Sequence, residues 1–551
     1  MLLSAVMRLL LLVLLGHTQH LYAESKEQLN DSQLIAEAEQ DPDKLSVKKT
    51  EDAPSFNIYE YRVSGNTVLP TTKIEEIVYP FMGEGKNINV VEEARSALEN
   101  LYHDSGYPTV FVNIPEQQVS GGLVKLEVVE GKVERLRVVN SHYYSLGAIK
   151  ARVDELEEGK VPHFPTVQKQ LATVNRSGDR QVVPVMKAGR TPGKVEVELK
   201  VTDKAPLHGN VELNDRYSAN TTHTRLNGTI KYDNLWQQDH SLGISFQVTP
   251  EKPDETKVLS ATYVIPRLNG DYVAVYGVIS KSNISAVGDI SVLGNGNIVG
   301  LRYIKPLPVL PDINSYFHTV TVGADYKDFQ ESTVLLGADT GIKTPISYIP
   351  FYAGYDGTLQ GENSQTQFGV NSTFTLRGFG ASEQQFANKR SLAHADFMTL
   401  HGDFKHMQKL PARWSTFVQL SGALSTGPLI SNEQFAVGGV DSVRGYTESN
   451  SLGDSGAFGK FELRSPSVDK WFPSEVKEIY GFAFYDQAHV SILDPLPSQT
   501  ASFNLASTGF GVRLKATHGI AVGVEFAEAL KSAAKVKDGD IRAHFRINYE
   551  W

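Results

Sequence analysis

From about residue 207 to the C-terminus, apolar and polar side chains alternate in short segments separated by Gly, Pro, Asn and Asp clusters. The last eleven residues show the pattern without interruption: Ile541, Ala543, Phe545, Ile547, Tyr549 and Trp551 are apolar, and Arg542, His544, Arg546, Asn548 and Glu550 are polar or charged. A period of two turns alternate side chains to one face, which predicts a strand with one apolar and one wet face. A tilted strand of about 9–11 residues is also long enough to cross a bilayer. The same alternation is clear at residues 224–232, 241–248, 317–326, 414–422 and 458–464. In the last of these, Phe461 and Leu463 would face lipid, and Lys460, Glu462 and Arg464 a lumen. Roughly 16 such segments follow one another at about 22 residues per strand and loop, the spacing of a membrane barrel. A soluble β-sandwich or propeller alternates too.

Upstream the texture differs. Residues 24–55 are polar, with Leu29, Leu34, Ile35 and Ala38 forming one short amphipathic stripe before Asp41-Pro42. This reads as a helix followed by a linker. Residues 56–131 then give a strand (59–68), a helix and two more strands (109–114 and 123–129). Val91, Ala94, Leu98, Leu101 and Tyr102 mark one face of the helix, with Gly106 and Pro108 just beyond it. Residues 132–204 repeat the scheme, with strands at 133–139 and 194–201 around a helix at 165–174. Two successive units of this kind are small α+β domains.

The N-terminus carries Met7-Arg8, an apolar run over residues 9–16, and Leu21-Tyr22-Ala23 before Glu24. A cation, a short apolar core and a small terminal residue make a cleaved secretory signal, expected over residues 1–23. Export, the terminal aromatic strand and the even spacing together favour the membrane barrel over a soluble β fold. Hydrophobic residues are 41% and charged residues 21% of the chain, and mean hydropathy is −0.24. A barrel accommodates those values because only alternate residues meet lipid. A net charge of −10 argues against nucleic acid as a partner. With no cysteine in the sequence, disulfides, thiol catalysis and Cys-bound zinc are excluded.

One segment stands apart. Residues 427–455 form a long connection that contains Phe435-Ala436-Val437-Gly438-Gly439 and Val443-Arg444-Gly445-Tyr446. A loop of that length without structure of its own is usually functional or disordered. In the following strand Phe482, Phe484 and Asp486 share a face, and the Asp keeps that face out of lipid. A buried carboxylate needs a cationic partner, and Arg444 is the expected one because a guanidinium matches a carboxylate in a two-pronged geometry. No catalytic residue is expected: the sequence has no Gly-x-Ser-x-Gly elbow and no His-Glu-x-x-His pair. His394, His401 and His406 lie 7 and 5 residues apart, out of phase for a metal site. Gly294-Asn295-Gly296 lacks the spacing of a phosphate cradle. Neither a metal nor any other cofactor is expected.

Val63-Ser64-Gly65-Asn66-Thr67, Gly106-Tyr107-Pro108 and residues 123–140 resemble POTRA domains, the periplasmic modules of protein-translocating barrels. Val443-Arg444-Gly445-Tyr446 resembles the Val-Arg-Gly-Tyr motif on the sixth extracellular loop of the outer-membrane insertase superfamily, which reaches into the lumen. Phe484 and Asp486 resemble its Phe-x-Asp-x-Gly partner on the barrel wall, with Ala488 replacing the glycine. The mature chain as a whole resembles the two-partner secretion transporters (TpsB, hemolysin- and adhesin-secretion type). The resemblance implies a mainly β fold: a transmembrane antiparallel barrel of about 16 strands over residues 205–551, preceded by two α+β POTRA domains at 56–131 and 132–204 and a plug helix with linker at 24–55. It also implies an outer-membrane pore of a Gram-negative bacterium with its POTRA domains in the periplasm. Those domains would capture an unfolded secreted partner, a large β-repeat exoprotein, by strand addition or in a helix–strand groove. The surface around Leu98, Tyr102, Val110, Val112 and Ile114 is the expected contact. Outer-membrane lipid, periplasmic chaperones and the barrel assembly machinery are further expected partners, the last two for its own insertion. The alternatives are an assembly factor for other barrels and a passive porin.

Overall fold

The computed structural model describes residues 55–551 apart from 220, 268, 283–284, 288–289, 293, 311–312, 314, 331, 334–341 and 498. The signal sequence and the amphipathic stripe expected before residue 42 lie outside the described residues. The chain divides into two compact units at Leu207.

In the first unit, Glu60–Ser64 runs parallel to Leu123–Glu130, which pairs antiparallel with Val110–Asn113. The helices Thr71–Val78 and Ile88–Asp104 accompany this sheet. The longer helix starts where the Asn87 side chain accepts from the N–H groups of Asn89 and Val90, an N-cap. Its Val91, Ala94, Leu98 and Tyr102 stripe is buried in a core shared with Val110, Val112, Val124 and Leu126. The tight Val63–Thr67 turn has a physical cause. Gly65 adopts φ +86°, and a Cβ there would collide with the Val128 carbonyl. The Glu130 carboxylate then accepts from the N–H groups of Thr67 at 2.5 Å and Val68 at 3.0 Å.

This packing places part of the expected passenger contact in the core. Leu98, Tyr102 and Val110 are fully buried, Val112 is 2% exposed, and Ile114 is half-buried against the same core. Leu98, Tyr102 and Val110 belong to the domain's interior and offer no docking surface, whereas Val112 and Ile114 also line an open groove beside the strand. Strand addition at this edge has to displace side chains already bonded to it. Val112 N–H donates to Glu99 at 3.0 Å, Arg95 donates to the Val112 carbonyl at 3.4 Å, and the Val110 carbonyl meets His103 at 3.0 Å. Leu98→Ala is expected to destabilise this domain by about 2–5 kcal/mol, read as a lowered urea midpoint of its circular dichroism.

The second domain repeats the sheet. Lys132–Val139 lies parallel to Lys194–Asp203, which pairs antiparallel with Arg180–Ala188, and the helices Leu146–Arg152 and Phe164–Val174 complete it. The sequence reading misses Arg180–Ala188 because Pro184 interrupts it. That strand is an edge, where a proline is tolerated, and the Asn175 side chain pairs with the outward N–H and C=O of Val182 at 2.7 and 2.9 Å.

In the second unit, sixteen antiparallel strands close into a barrel, the eighth interrupted between Tyr348 and Phe351 at Pro350. The last strand, Ile541–Glu550, pairs with the first, Leu207–Asn214. Phe404, Leu420, Phe461, Leu463, Phe510 and Phe526 point outward and are exposed, while Glu462, Asp486 and Glu525 are buried inside. This is the lipid–lumen alternation read from the sequence. Most turns at the end where the chain enters the barrel are short, as at residues 236–239, 361–363 and 517–519, with 465–475 a longer one. The opposite end carries the long connections 375–397 and 426–454. Short turns on the periplasmic side and long loops outside are the habit of outer-membrane barrels.

Candidate functional site

Residues 426–454 join the eleventh strand (Ser415–Ser425) to the twelfth (Ser455–Arg464). The sequence predicts a loop without structure. Instead, Phe435–Val437 pairs antiparallel with Ser451–Gly453, so the segment is a hairpin with a long tip. Gly438 and Gly439 turn the tip at φ +106° and +96°. Phe435, Val437, Val443 and Tyr446 are buried in one cluster with Phe458, Ala488, Val490 and Leu505 of the barrel wall. Ala488, where the resembling motif has Gly, is 2% exposed within this cluster, so its methyl is accommodated as packing.

Arg444 is fully buried inside the barrel. Its Nε and Nη2 donate to the two oxygens of Asp486 at 2.6 and 2.7 Å, and its backbone N–H adds a third bond to the same carboxylate at 3.1 Å. Nη1 donates to Glu462 at 2.8 Å and to Glu525 at 3.2 Å. The guanidinium lies 3.5 Å from the centroid of the Phe484 ring. Thus the structure brings together Arg444, Phe484 and Asp486. Val443 and Tyr446 pack beside them, and the Tyr446 hydroxyl reaches the carbonyls of Lys531 at 2.6 Å and Ala506 at 3.0 Å. Gly445 adopts φ +87°, and its N–H donates to His544 Nε2 at 3.2 Å.

The sequence reading turns Lys460, Glu462 and Arg464 to the lumen without joining them to Arg444, and it does not single out Arg513, Glu525 or His544. Arg513 donates to Glu462 at 3.0 Å and to Glu525 at 2.8 Å, and Arg464 donates to Glu462 at 2.6 Å. Lys460 Nζ donates to the Val440 carbonyl of the hairpin at 2.5 Å. The available signal was phase. A charged residue in an alternating strand must take the lumenal positions, and Glu525 and His544 are register partners on adjacent strands. What such a cluster can do is hold: Glu462 and Glu525 each share more than one cation, Asp486 is held by Arg444 alone, and the low local dielectric strengthens every bond while the set stays complete.

A second set of contacts covers the far end. Asp454 is buried and accepts from Arg390 Nη2 at 2.7 Å, from Arg390 Nη1, and from the N–H groups of Leu429 at 2.9 Å and Leu493 at 2.7 Å. It therefore ties together three connections, those after the ninth, eleventh and thirteenth strands. In the first of these the helix Glu383–Lys389, started by a Ser382/Gln385 capping box, places Phe386 in a buried cluster. That cluster also holds Tyr348, Phe397, Leu429 and Ile430. Nearby, Glu383, His394 and Asp396 are exposed and Arg377 bridges the two carboxylates at 3.2 and 2.9 Å. His401 is buried in the wall and His406 meets Thr366 at 2.9 Å, so the three histidines serve separate places.

Residues 56–131 match the family described as POTRA domain, ShlB-type, and residues 348–514 match Haemolysin secretion/activation protein ShlB/FhaC/HecB. The chain is 23% identical over 455 residues to outer membrane transporter CdiB of Dickeya dadantii, covering 80% of this chain and 77% of that protein. It is 18% identical over 481 residues to heme/hemopexin transporter protein HuxB of Haemophilus influenzae, covering 84% and 82%. The solved structure of CdiB from Escherichia coli superposes with a TM-score of 0.59 at 18% identity, covering 97% of this chain and 99% of that one, which is a likeness of fold.

Proposed function

The chain belongs to the ShlB/FhaC/HecB family of two-partner secretion transporters, outer-membrane proteins that export partner proteins, and we propose that its Arg444 hairpin is the movable obstruction in the export path. The observation that carries this reading is a charge seat inside the lumen for a segment hinged only at its two ends. The hairpin leaves the wall strands paired with one another, so it can withdraw without opening the barrel ladder.

In the periplasm the two POTRA-like domains receive the unfolded partner, an extended β-repeat chain. With the apolar stripe buried, recognition falls to the open groove between Ile88–Asp104 and Val110–Asn113. This groove is about 620 Å³ and is lined by Glu92, Arg95, Ile114 and Glu127. A passenger strand there displaces Arg95 and Glu99 from Val112 and takes over its backbone hydrogen bonds. The partner then threads the lumen as the Arg444 hairpin leaves its seat, and the far-end cover around Phe386 lifts. Folding of the partner outside supplies direction. Periplasmic chaperones and the barrel assembly machinery serve the transporter's own insertion.

Deletion of the gene tests the assignment. Its partner is expected to accumulate in the periplasm while other outer-membrane barrels keep their levels, whereas depletion of many barrels would mark an assembly factor instead. Arg390→Ala is expected to raise the frequency of open events in planar bilayers severalfold. It removes the cation on Asp454 and unties the cover, at a cost of about 3–5 kcal/mol for a buried charge left alone. A closed-state record indistinguishable from wild type would take the cover out of the mechanism.

A further inference from the structure

The seam that closes the barrel is short. Asn210–Asn214 of the first strand pair with Arg546–Glu550 of the last, and there the first strand ends. Residues 541–545 therefore have a strand neighbour on one side only. The next residue, Asp215, takes over from the backbone: its Oδ1 accepts the Phe545 N–H at 2.9 Å, and its Oδ2 lies 3.0 Å from His544 Nδ1. On the other side of the imidazole, Nε2 accepts the Gly445 N–H at 3.2 Å. The Asp215 and His544 side chains are only 8% and 5% exposed. An Nε2 that accepts leaves the ring proton on Nδ1, so one neutral tautomer satisfies both neighbours. The ion cluster around Arg444 makes no use of either residue.

We propose that Asp215 and His544 are positioning residues for export, which fasten the Val443–Tyr446 segment to the seam between the first and last strands so that loop and seam are held by one hydrogen-bonded relay. The relay has a built-in polarity. A second ring proton strengthens the bond to Asp215 but leaves no lone pair for Gly445, so acid loosens the loop arm and tightens the seam arm. The charged groups around the ring are Asp215 and Arg216 from the end of the first strand, and Glu525 from the fifteenth strand with Arg513 behind it. Glu448 and Arg444 come from the loop, and Arg542 and Arg546 from its own strand. Asp215→Asn keeps an acceptor for Phe545 but turns a donor toward Nδ1. The ring proton then moves to Nε2 and confronts the Gly445 N–H.

The sequence has no cysteine, so Ser442→Cys, at a position 5% exposed, is a unique reporter of the seated loop. The measurement is the rate at which a hydrophilic maleimide labels Ser442→Cys in the folded full-length protein. Each rate is normalised to an exposed Gln499→Cys in the same buffer. Adding Asp215→Asn is expected to raise the normalised rate about tenfold, as the loss of a buried hydrogen bond allows. His544→Gln, whose amide can accept from Gly445 and donate to Asp215, is expected to stay within about twofold of the parent. Acid that protonates imidazole should speed labelling of the parent and leave His544→Gln flat. An Asp215→Asn rate equal to the parent's, or the same acid response with and without His544, overturns the proposal. Heat-modifiable gel migration verifies that each barrel is closed. Should Asp215→Asn fail that check, the pH comparison of the parent with His544→Gln decides. The consequence for export rests on the loop being the movable obstruction. The labelling assay reports the anchor alone, so its failure is distinct from that of an Arg444 variant that exports normally.

Discussion

Arg444→Ala is expected to cut export of the partner protein by at least about tenfold while the barrel still assembles in the outer membrane, because leaving a buried carboxylate unpaired costs about 3–5 kcal/mol. That cost is local. Glu462 keeps Arg513 and Arg464, and Glu525 keeps Arg513, but Asp486 loses both side-chain bonds and retains only the Arg444 backbone N–H, which the variant also supplies. The penalty therefore falls on the seating of the hairpin, and the inter-strand ladders on either side of Asp486 are untouched. Arg444→Lys is expected to be intermediate, since an ammonium meets one carboxylate oxygen at a time and cannot reproduce the fork or the ring contact with Phe484. Immunoblots of culture medium against periplasm measure export, and heat-modifiable migration measures assembly. Wild-type export by Arg444→Ala would show that this hairpin does not govern the path.

Much of this architecture was legible because a membrane barrel is the simplest case of hydrophobic patterning. Lipid outside and water or charge inside enforce a period of two, so the sequence of the twelfth strand alone declares Phe461 and Leu463 outward and Lys460 and Glu462 inward. Asp486 announced a lumenal carboxylate for the same reason. Its other neighbours were hidden by distance: Glu525 lies 81 residues from Arg444, and only the strand registers bring them together. The hairpin within residues 426–454 was invisible because Phe435–Val437 and Ser451–Gly453 are too short to show a period. Leu98 and Tyr102 of the expected passenger contact lie in the core for a different reason. Leu98 and Tyr102 recur at helical spacing, and such a stripe marks the face turned to the sheet, which in a domain this small is the whole interior. The strand Arg180–Ala188 was lost to Pro184, a residue that excludes a central strand and is harmless at an edge.

The same wall holds a second buried arginine, and its expected behaviour separates bracing from gating. Arg302 on the sixth strand donates to Asp325 on the seventh at 2.6 and 2.8 Å, and the Tyr276 hydroxyl on the fifth donates to the same carboxylate at 2.6 Å. Arg302 is 1% exposed and Asp325 5%. Every partner here belongs to the barrel wall, including Tyr352, whose ring centroid lies 4.8 Å from the guanidinium. Arg302→Met should therefore destabilise the closed barrel itself by about 3–5 kcal/mol, because Asp325 is left as an uncompensated buried charge. The readout is a lower temperature at which the folded band disappears on heating. Arg302→Met combined with Asp325→Leu removes both charges and should recover most of the loss, since a buried pair replaced by apolar side chains of similar size is often near neutral. The corresponding double variant at Arg444 and Asp486 should recover stability but not export, because there the pair seats a segment that must leave and return. If the Arg302 double variant also failed to regain thermal stability, the pair would be fixing strand register rather than compensating charge, and the division between brace and gate would fall.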